Sequence, residues 1–158
     1  MQSNIISSPE LASQGQQKIA WVRRNMPILN QLEDQFARER PFAGKRVTVC
    51  IHLEAKTAYL ALVLRAGGAM VSVTGSNPES TKDDVVAALA AEGLHVYARH
   101  GASLEEMRRY MSIALELQPH VMIDDGGDLV ELLHESQRQH GKQMLGACEE
   151  TTSGVLRA

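Results

Sequence analysis

Val121-Met122-Ile123-Asp124-Asp125-Gly126-Gly127-Asp128 and, further along, Met144-Leu145-Gly146-Ala147-Cys148-Glu149-Glu150-Thr151-Thr152-Ser153-Gly154 follow one pattern. A short apolar run leads into carboxylates, with glycines or hydroxyls close behind. A buried strand that ends this way delivers acids to the rim of a sheet. In open α/β sheets that rim is where ligands bind.

The same alternation extends upstream. Val47-Thr48-Val49-Cys50-Ile51, Met70-Val71-Ser72-Val73-Thr74, Leu94-His95-Val96-Tyr97-Ala98 and residues 120–123 read as four strands, and residues 142–147 as a fifth. Helical stretches separate them. Residues 55–66 are Leu- and Ala-rich and stop at Gly67-Gly68. Ser80 and Asp83 open a helix with Val85, Ala88 and Leu89 on its apolar face, and Gly93 closes it. Ser103 and Glu106 have capping-box spacing ahead of a core stripe of Leu104, Met107, Met111, Ala114 and Leu115. Leu129, Leu132 and Leu133 mark another helix. Strands alternating with helices imply right-handed crossovers and a parallel sheet. The expected fold class is α/β: a Rossmann-like parallel sheet of about five strands with flanking helices.

An N-terminal helical segment precedes the sheet. Residues 1–14 read as a flexible polar tail and residues 15–158 as the domain. A helix is expected over 16–24, and Pro27 opens a second in which Ile28, Leu29, Leu32 and Phe36 recur at helical spacing. Proline suits a first turn, because the N–H that it lacks would have no partner there.

The chain has 158 residues, enough for one domain, with 44% hydrophobic and 22% charged content. A net charge of −3 and the absence of a concentrated basic face speak against a nucleic-acid partner. There is no signal-peptide pattern, and no run nears the roughly 20 apolar residues of a membrane span. The expectation is a cytoplasmic protein with no membrane partner. Cys50 and Cys148 each end an apolar run and read as small buried residues without metal-ligand spacing.

Parallel strands share one C-terminal edge. His52 and Glu54, Thr74 to Asn77, Asp124 to Asp128, and Cys148 to Ser153 therefore gather at one crevice. Carboxylates accept hydrogen bonds from a ribose diol, and a neighbouring histidine moves protons near neutral pH. Each motif also has a plainer reading. Asp-Gly-Gly-Asp makes a good turn and helix start, Glu-Glu-Thr-Thr a solvated helix start, and His52 a structural histidine. Their shared edge favours a site. His95, His100, His120, His134 and His140 show no ligand spacing, and no metal site is expected. The glycine fingerprint for a dinucleotide, the Walker motif and the nucleophile elbow are all missing from the sequence.

Four motifs carry a resemblance. His52-Leu53-Glu54-Ala55-Lys56-Thr57-Ala58, Gly75-Ser76-Asn77-Pro78-Glu79-Ser80-Thr81-Lys82-Asp83-Asp84, Asp124-Asp125-Gly126-Gly127-Asp128-Leu129 and Glu149-Glu150-Thr151-Thr152-Ser153-Gly154 resemble the N-terminal, substrate-binding part of the adenosylhomocysteinase family, in order over about residues 19–157. Trp21 and Asn25-Met26-Pro27 fit the family's leading helices. The resemblance implies a thioether hydrolase. Its tightly held NAD oxidises the ribose 3′-hydroxyl, the ketone acidifies C4′, homocysteine is eliminated, water adds and the ketone is reduced. By position, Asp125 resembles the family's acid/base and substrate-contacting aspartate. Glu150 resembles the glutamate that holds the ribose hydroxyls, and His52 the histidine near the C5′ leaving group. Thr151, Thr152 and Ser153 match the hydroxyl run that touches NAD. Glu54, Lys56 and Thr57 fall at substrate-contacting positions, the first two near the purine.

The sequence departs from the family pattern in specific places. The family continues with a lysine and an aspartate of the substrate site and then a whole NAD domain, so the 158-residue chain alone is expected to be inactive. Glu54 and Lys56 stand where many members have threonine and glutamate, which resembles the subgroup that prefers S-inosylhomocysteine. Hypoxanthine presents an acceptor where adenine presents a donor, and a lysine donor suits the former. Ser153 replaces a threonine and Lys82 a glutamine. The implied partners are a nucleoside thioether, copies of the chain (a tetramer in the family) and a complementing chain with the NAD domain. Two alternatives stand beside this reading. One is a non-catalytic nucleoside-binding or interaction module derived from the family. The other is a Mg²⁺-binding, receiver-like domain with Asp124 and Asp125 as ligands, which the ending of the first strand in His52 speaks against.

Overall fold

The computed structural model describes residues 3–157. Two helices come first, α1 (Ala12–Arg24) and α2 (Pro27–Glu39), and Pro27 occupies the first turn of α2 as expected. Then strands and helices alternate: β1 (Arg46–Ile51), α3 (Ala55–Ala66), β2 (Met70–Gly75), α4 (Asp83–Ala91), β3 (His95–Tyr97), α5 (Leu104–Leu115), β4 (Val121–Asp124), α6 (Asp128–Glu135), β5 (Gly146–Glu149) and α7 (Thr152–Val155). The Ser103–Glu106 capping box at the start of α5 forms in full.

The sheet has the order β3-β2-β1-β4-β5 with every pair parallel. Alternation along β1 and β2 sorts the core into two layers. Val47, Val49, Val71 and Val73 pack with Ile19, Val22, Ala58, Ala61, Val85 and Leu89 of α1, α3 and α4. On the other face Cys50 and Met122 pack with Met111, Leu115, Leu129 and Leu132 of α5 and α6. Met107, Met111, Ala114 and Leu115 of the expected stripe are therefore core, whereas Leu104, in the first turn of α5, is exposed. Two buried threonines on that second face use backbone carbonyls: Thr48 donates to Ala114 at 3.3 Å and Thr74 to Tyr97 at 2.8 Å.

The N-terminus differs from expectation. Of the stretch 1–14, residues 1 and 2 lie outside the described residues, as does residue 158. The remainder does not trail as a tail. Ile5 bridges to β3, donating to the Val96 carbonyl at 3.0 Å and accepting from Ala98 N–H at 3.1 Å. The Asn4 side chain adds bonds to Leu94 and Val96. This segment covers the outer edge of β3, which would otherwise present unpaired backbone groups. A 3₁₀ turn over Pro9–Leu11 then leads into α1, four residues before the expected start. Gly15 lets α1 approach α4 closely, since a Cβ there would overlap the Asp84 carbonyl, and Lys18 pairs with the Asp84 carboxylate at 2.5 Å.

The far edge also differs. The fifth strand lies at Gly146–Glu149 rather than 142–147. A 3₁₀ turn over Arg138–Gly141 continues into a bond from Met144 N–H to Gly141, so Met144 packs on the α6 cluster before the strand begins. Cys50 is buried as expected, but Cys148 is exposed, because β5 is an edge strand with an uncovered face. Both cysteines are free thiols. Among the described residues no helix is long and apolar enough to cross a membrane.

Candidate active site

The strand order dictates where a crevice opens. The chain winds outward from β1 to β3, then returns through α5 to β4 on the other side of β1. Helices before and after this return cover opposite faces, leaving the C-terminal ends of β1 and β4 open between them. His52 follows β1, Ser76 follows β2 and Asp125 follows β4. They meet. His52 Nε2 lies 3.5 Å from Asp125 Oδ2, and the Ser76 hydroxyl donates to that same oxygen at 2.9 Å. On the other side of the ring, Nδ1 sits 2.5 Å from Ser80 Oγ, which in turn lies 3.0 Å from the Asn77 carbonyl. The His52 side chain is 52% exposed and that of Asp125 11%. The pair thus joins a proton carrier open to the crevice with a sheltered carboxylate behind it.

Thr57 approaches His52 from below. Its hydroxyl donates to the His52 carbonyl at 2.6 Å, so it fixes the loop after β1 and is largely buried. Glu54 and Lys56, at the start of α3, are exposed.

Asp124 and Glu149 are paired across β4 and β5, which places Asp125 and Glu150 side by side just past the strand ends. The Glu150 N–H donates to the Asp124 carbonyl at 2.9 Å and its side chain is exposed. Thr151 Oγ1 lies 3.3 Å from Ser153 Oγ, and the Thr152 and Ser153 side chains are open to solvent. The structure therefore brings His52 and Asp125 into contact and sets Glu150 and the hydroxyl run on the adjoining strand end.

Two further carboxylates shape this rim; sequence reasoning gave Asp124 a role only as a Mg²⁺ ligand in the receiver-like alternative, and Glu149 none. Asp124 is 1% exposed. It accepts N–H bonds from Asp125 at 3.1 Å, Leu129 at 2.9 Å and Val130 at 3.3 Å, capping α6 where Gly127 has no side chain to do so. Burial, with a smaller push from the charge of Glu149, raises its carboxyl to about 6 against the pull of those three amides. Beside it, burial pushes the Cys50 thiol well up, helped by the Asp124 charge and a bond to that carboxylate. Glu149 accepts from Gly126 N–H at 2.8 Å, Gly127 N–H at 3.1 Å and Thr151 N–H at 3.0 Å. Gly126 and Gly127 hold φ of 108° and 77°, a left-handed backbone that suits glycine alone at low cost. Sequence reasoning also passed over Ser76 and Ser80 as partners of the pair. Their only signal was position after β2, which placed them on the right edge without saying which side chain turned inward.

Fold and crevice define a class: a doubly wound α/β domain with an acid–histidine pair at its switch point. The chain matches the model of the S-adenosyl-L-homocysteine hydrolase family over residues 4–154 and belongs to that family. It is 50% identical over 147 residues to an adenosylhomocysteinase of Pyrococcus abyssi, covering 93% of this chain and 35% of that protein. It is 45% identical over 147 residues to an S-inosyl-L-homocysteine hydrolase of Methanocaldococcus jannaschii, with the same two coverages. An S-inosyl-L-homocysteine hydrolase of Methanopyrus kandleri is 45% identical over 152 residues, covering 96% of this chain and 36% of that protein. The chain spans about a third of the length of these curated relatives.

Proposed function

We propose that this chain is the nucleoside-binding part of a cytoplasmic hydrolase that cleaves S-adenosyl- or S-inosylhomocysteine into nucleoside and homocysteine. The observation that carries this reading is the His52–Asp125 contact at the mouth between β1 and β4, with Glu150 on the adjoining strand end. In this reading Asp125 and His52 move protons at the ribose C4′ and at the C5′ leaving group, and Ser76 orients the Asp125 carboxylate. Glu150, exposed and tied through its backbone to β4, accepts from the ribose hydroxyls. Glu54 and Lys56 face the purine, and the Lys56 ammonium favours hypoxanthine.

The hydroxyls of Thr151, Thr152 and Ser153 fit one flank of NAD, being grouped, solvent-facing and next to the proposed ribose site. When bound, NAD would supply the redox step at the sugar 3′-carbon. The chain's own residues bind and orient the nucleoside and hold its protons. An NAD domain with a pyrophosphate cradle would complete this site, in the family's case within a tetramer.

Calorimetric titration of adenosine and inosine into the purified chain tests the reading. Saturable binding of either nucleoside, lost in His52→Ala and Asp125→Ala, is expected. No binding in wild type sinks the reading, and binding untouched by both substitutions moves the site elsewhere. The Mg²⁺-binding alternative loses support from Asp124, whose carboxylate is filled by three amides and faces the Cys50 side of the core.

A further inference from the structure

Glu149 belongs to neither the proton-moving pair nor the proposed sugar contacts, yet three backbone N–H groups converge on it from two different loops. Gly126 and Gly127 lie in the loop that carries Asp125, and Thr151 lies in the turn that carries Glu150. Gly154 packs against the carboxylate so closely that no Cβ would fit. Three residues on, Arg157 returns to the same loop. Its Nη1 donates to the Gly126 carbonyl at 2.6 Å and to Asp128 at 3.0 Å, and its other nitrogen pairs with Glu131. Both polar groups of Gly126 are thus held from the β5 side, its N–H by Glu149 at the end of β5 and its C=O by Arg157 beyond it.

We infer that Glu149 is a positioning residue that locks the Asp125 loop to the Glu150 turn, so that the two rim carboxylates, Asp125 and Glu150, keep one fixed separation. The physical need is plain. Gly126 and Gly127 lack side chains, and a glycine pair left to itself samples many backbone states. A charged acceptor on two successive N–H groups removes that freedom, and charge-assisted bonds are the strong ones. β4 and β5 set the strand ends in register, but register alone does not fix what lies beyond them. Glu149 does so by using the end of one strand to hold the loop after the other. A sugar diol contacted from both carboxylates requires this spacing held within a fraction of an ångström. The functional half of this assignment rests on the nucleoside reading proposed above; the structural half does not.

The test compares wild type with Glu149→Gln, a near-isostere that keeps one acceptor oxygen and loses the charge. Exposed Glu105→Gln serves as the control. Amide NMR spectra of the full chain are expected to show hydrogen-bond-shifted Gly126, Gly127 and Thr151 protons in wild type. Signals of both loops move or broaden together in Glu149→Gln and stay in place in Glu105→Gln. Inosine or adenosine affinity falls by about tenfold in Glu149→Gln while the urea midpoint stays close to wild type, and the loss shrinks when Asp125→Asn is already present. Amides of only one loop responding, or affinity unchanged, overturns the assignment. Absence of nucleoside binding in wild type, with the two loops still moving together, overturns the nucleoside reading and upholds the lock.

Discussion

Asp124 and Asp125 are neighbours in the chain and place their charges in opposite surroundings. Asp124 turns its carboxylate inward onto the amides that start α6, with the Cys50 thiol beside it. Asp125 turns its own toward the crevice, onto Ser76 and His52. The strand's alternation imposes this, since successive side chains leave opposite faces. One carboxylate builds the loop and the other is presented by it.

Asp124 gives the clearest dependence on pH. Its folded-state value is raised to about 6 from the ordinary aspartate value of 3.8. Between those limits the native state holds the proton more tightly than the unfolded chain. Its contribution to stability is therefore complete below about pH 4 and is lost as pH rises through about 6. Side-chain carbon NMR is expected to give Asp124 a midpoint near 6. Urea midpoints measured at pH 4.5 and 6.5 should fall with pH less steeply in Asp124→Asn than in wild type. An equal slope in both proteins would place the titration elsewhere.

Ser76 supplies the only side-chain hydroxyl on Asp125 among the described residues, and it is not itself in the line of the proposed chemistry. Ser76→Ala removes one bond to a charged acceptor in a partly sheltered place, which is worth on the order of 1–2 kcal/mol. Nucleoside affinity should weaken by roughly tenfold, with melting temperature near that of wild type. Calorimetry at matched protein concentration reads the first quantity and differential scanning the second.

Most of the architecture was legible in the sequence because it depends on periodicity. Val47-Thr48-Val49-Cys50-Ile51 and the Leu104 to Leu115 stripe have unambiguous periods, and both elements form as read. Residues 142–147 do not, since a short apolar run without β-branching serves equally as a turn packed on a neighbouring helix. The N-terminal stretch was misread because it is polar: what anchors Ile5 and Asn4 is backbone pairing to a strand edge, which leaves no hydrophobic pattern. At the rim, the strand ends predicted the shared location of His52, Asp125 and Glu150. They could not reveal that Glu149, adjacent to Glu150 and chemically identical, turns onto the loop amides, because that depends on register between β4 and β5.

Gly15 shows how a helix contact overrides propensity. Glycine within a helix is less favourable than alanine by about 1 kcal/mol, so Gly15→Ala would stabilise an isolated α1. Here the added methyl meets the Asp84 carbonyl of α4. Relieving that overlap separates two packed helices and strains the Lys18–Asp84 pair. Overpacking of this kind costs typically 1–3 kcal/mol, so Gly15→Ala is expected to lower the urea midpoint. A rise would mean that α1 slides along α4 without resistance.

Lys56 offers a test of purine choice. It stands in the first turn of α3, two residues after Glu54, and both side chains are exposed. A lysine is a donor only, and hypoxanthine offers an acceptor oxygen where adenine offers an amino donor. Lys56→Glu replaces the donor with an acceptor at nearly the same reach. If Lys56 reads the purine, this substitution weakens inosine binding and strengthens adenosine binding, changing their ratio by about tenfold or more, the scale of one charged hydrogen bond. A purely electrostatic effect of the two-unit charge change would alter both affinities alike, because the two nucleosides are neutral. Competition calorimetry with both nucleosides on one preparation separates a change in the ratio from a change in overall affinity.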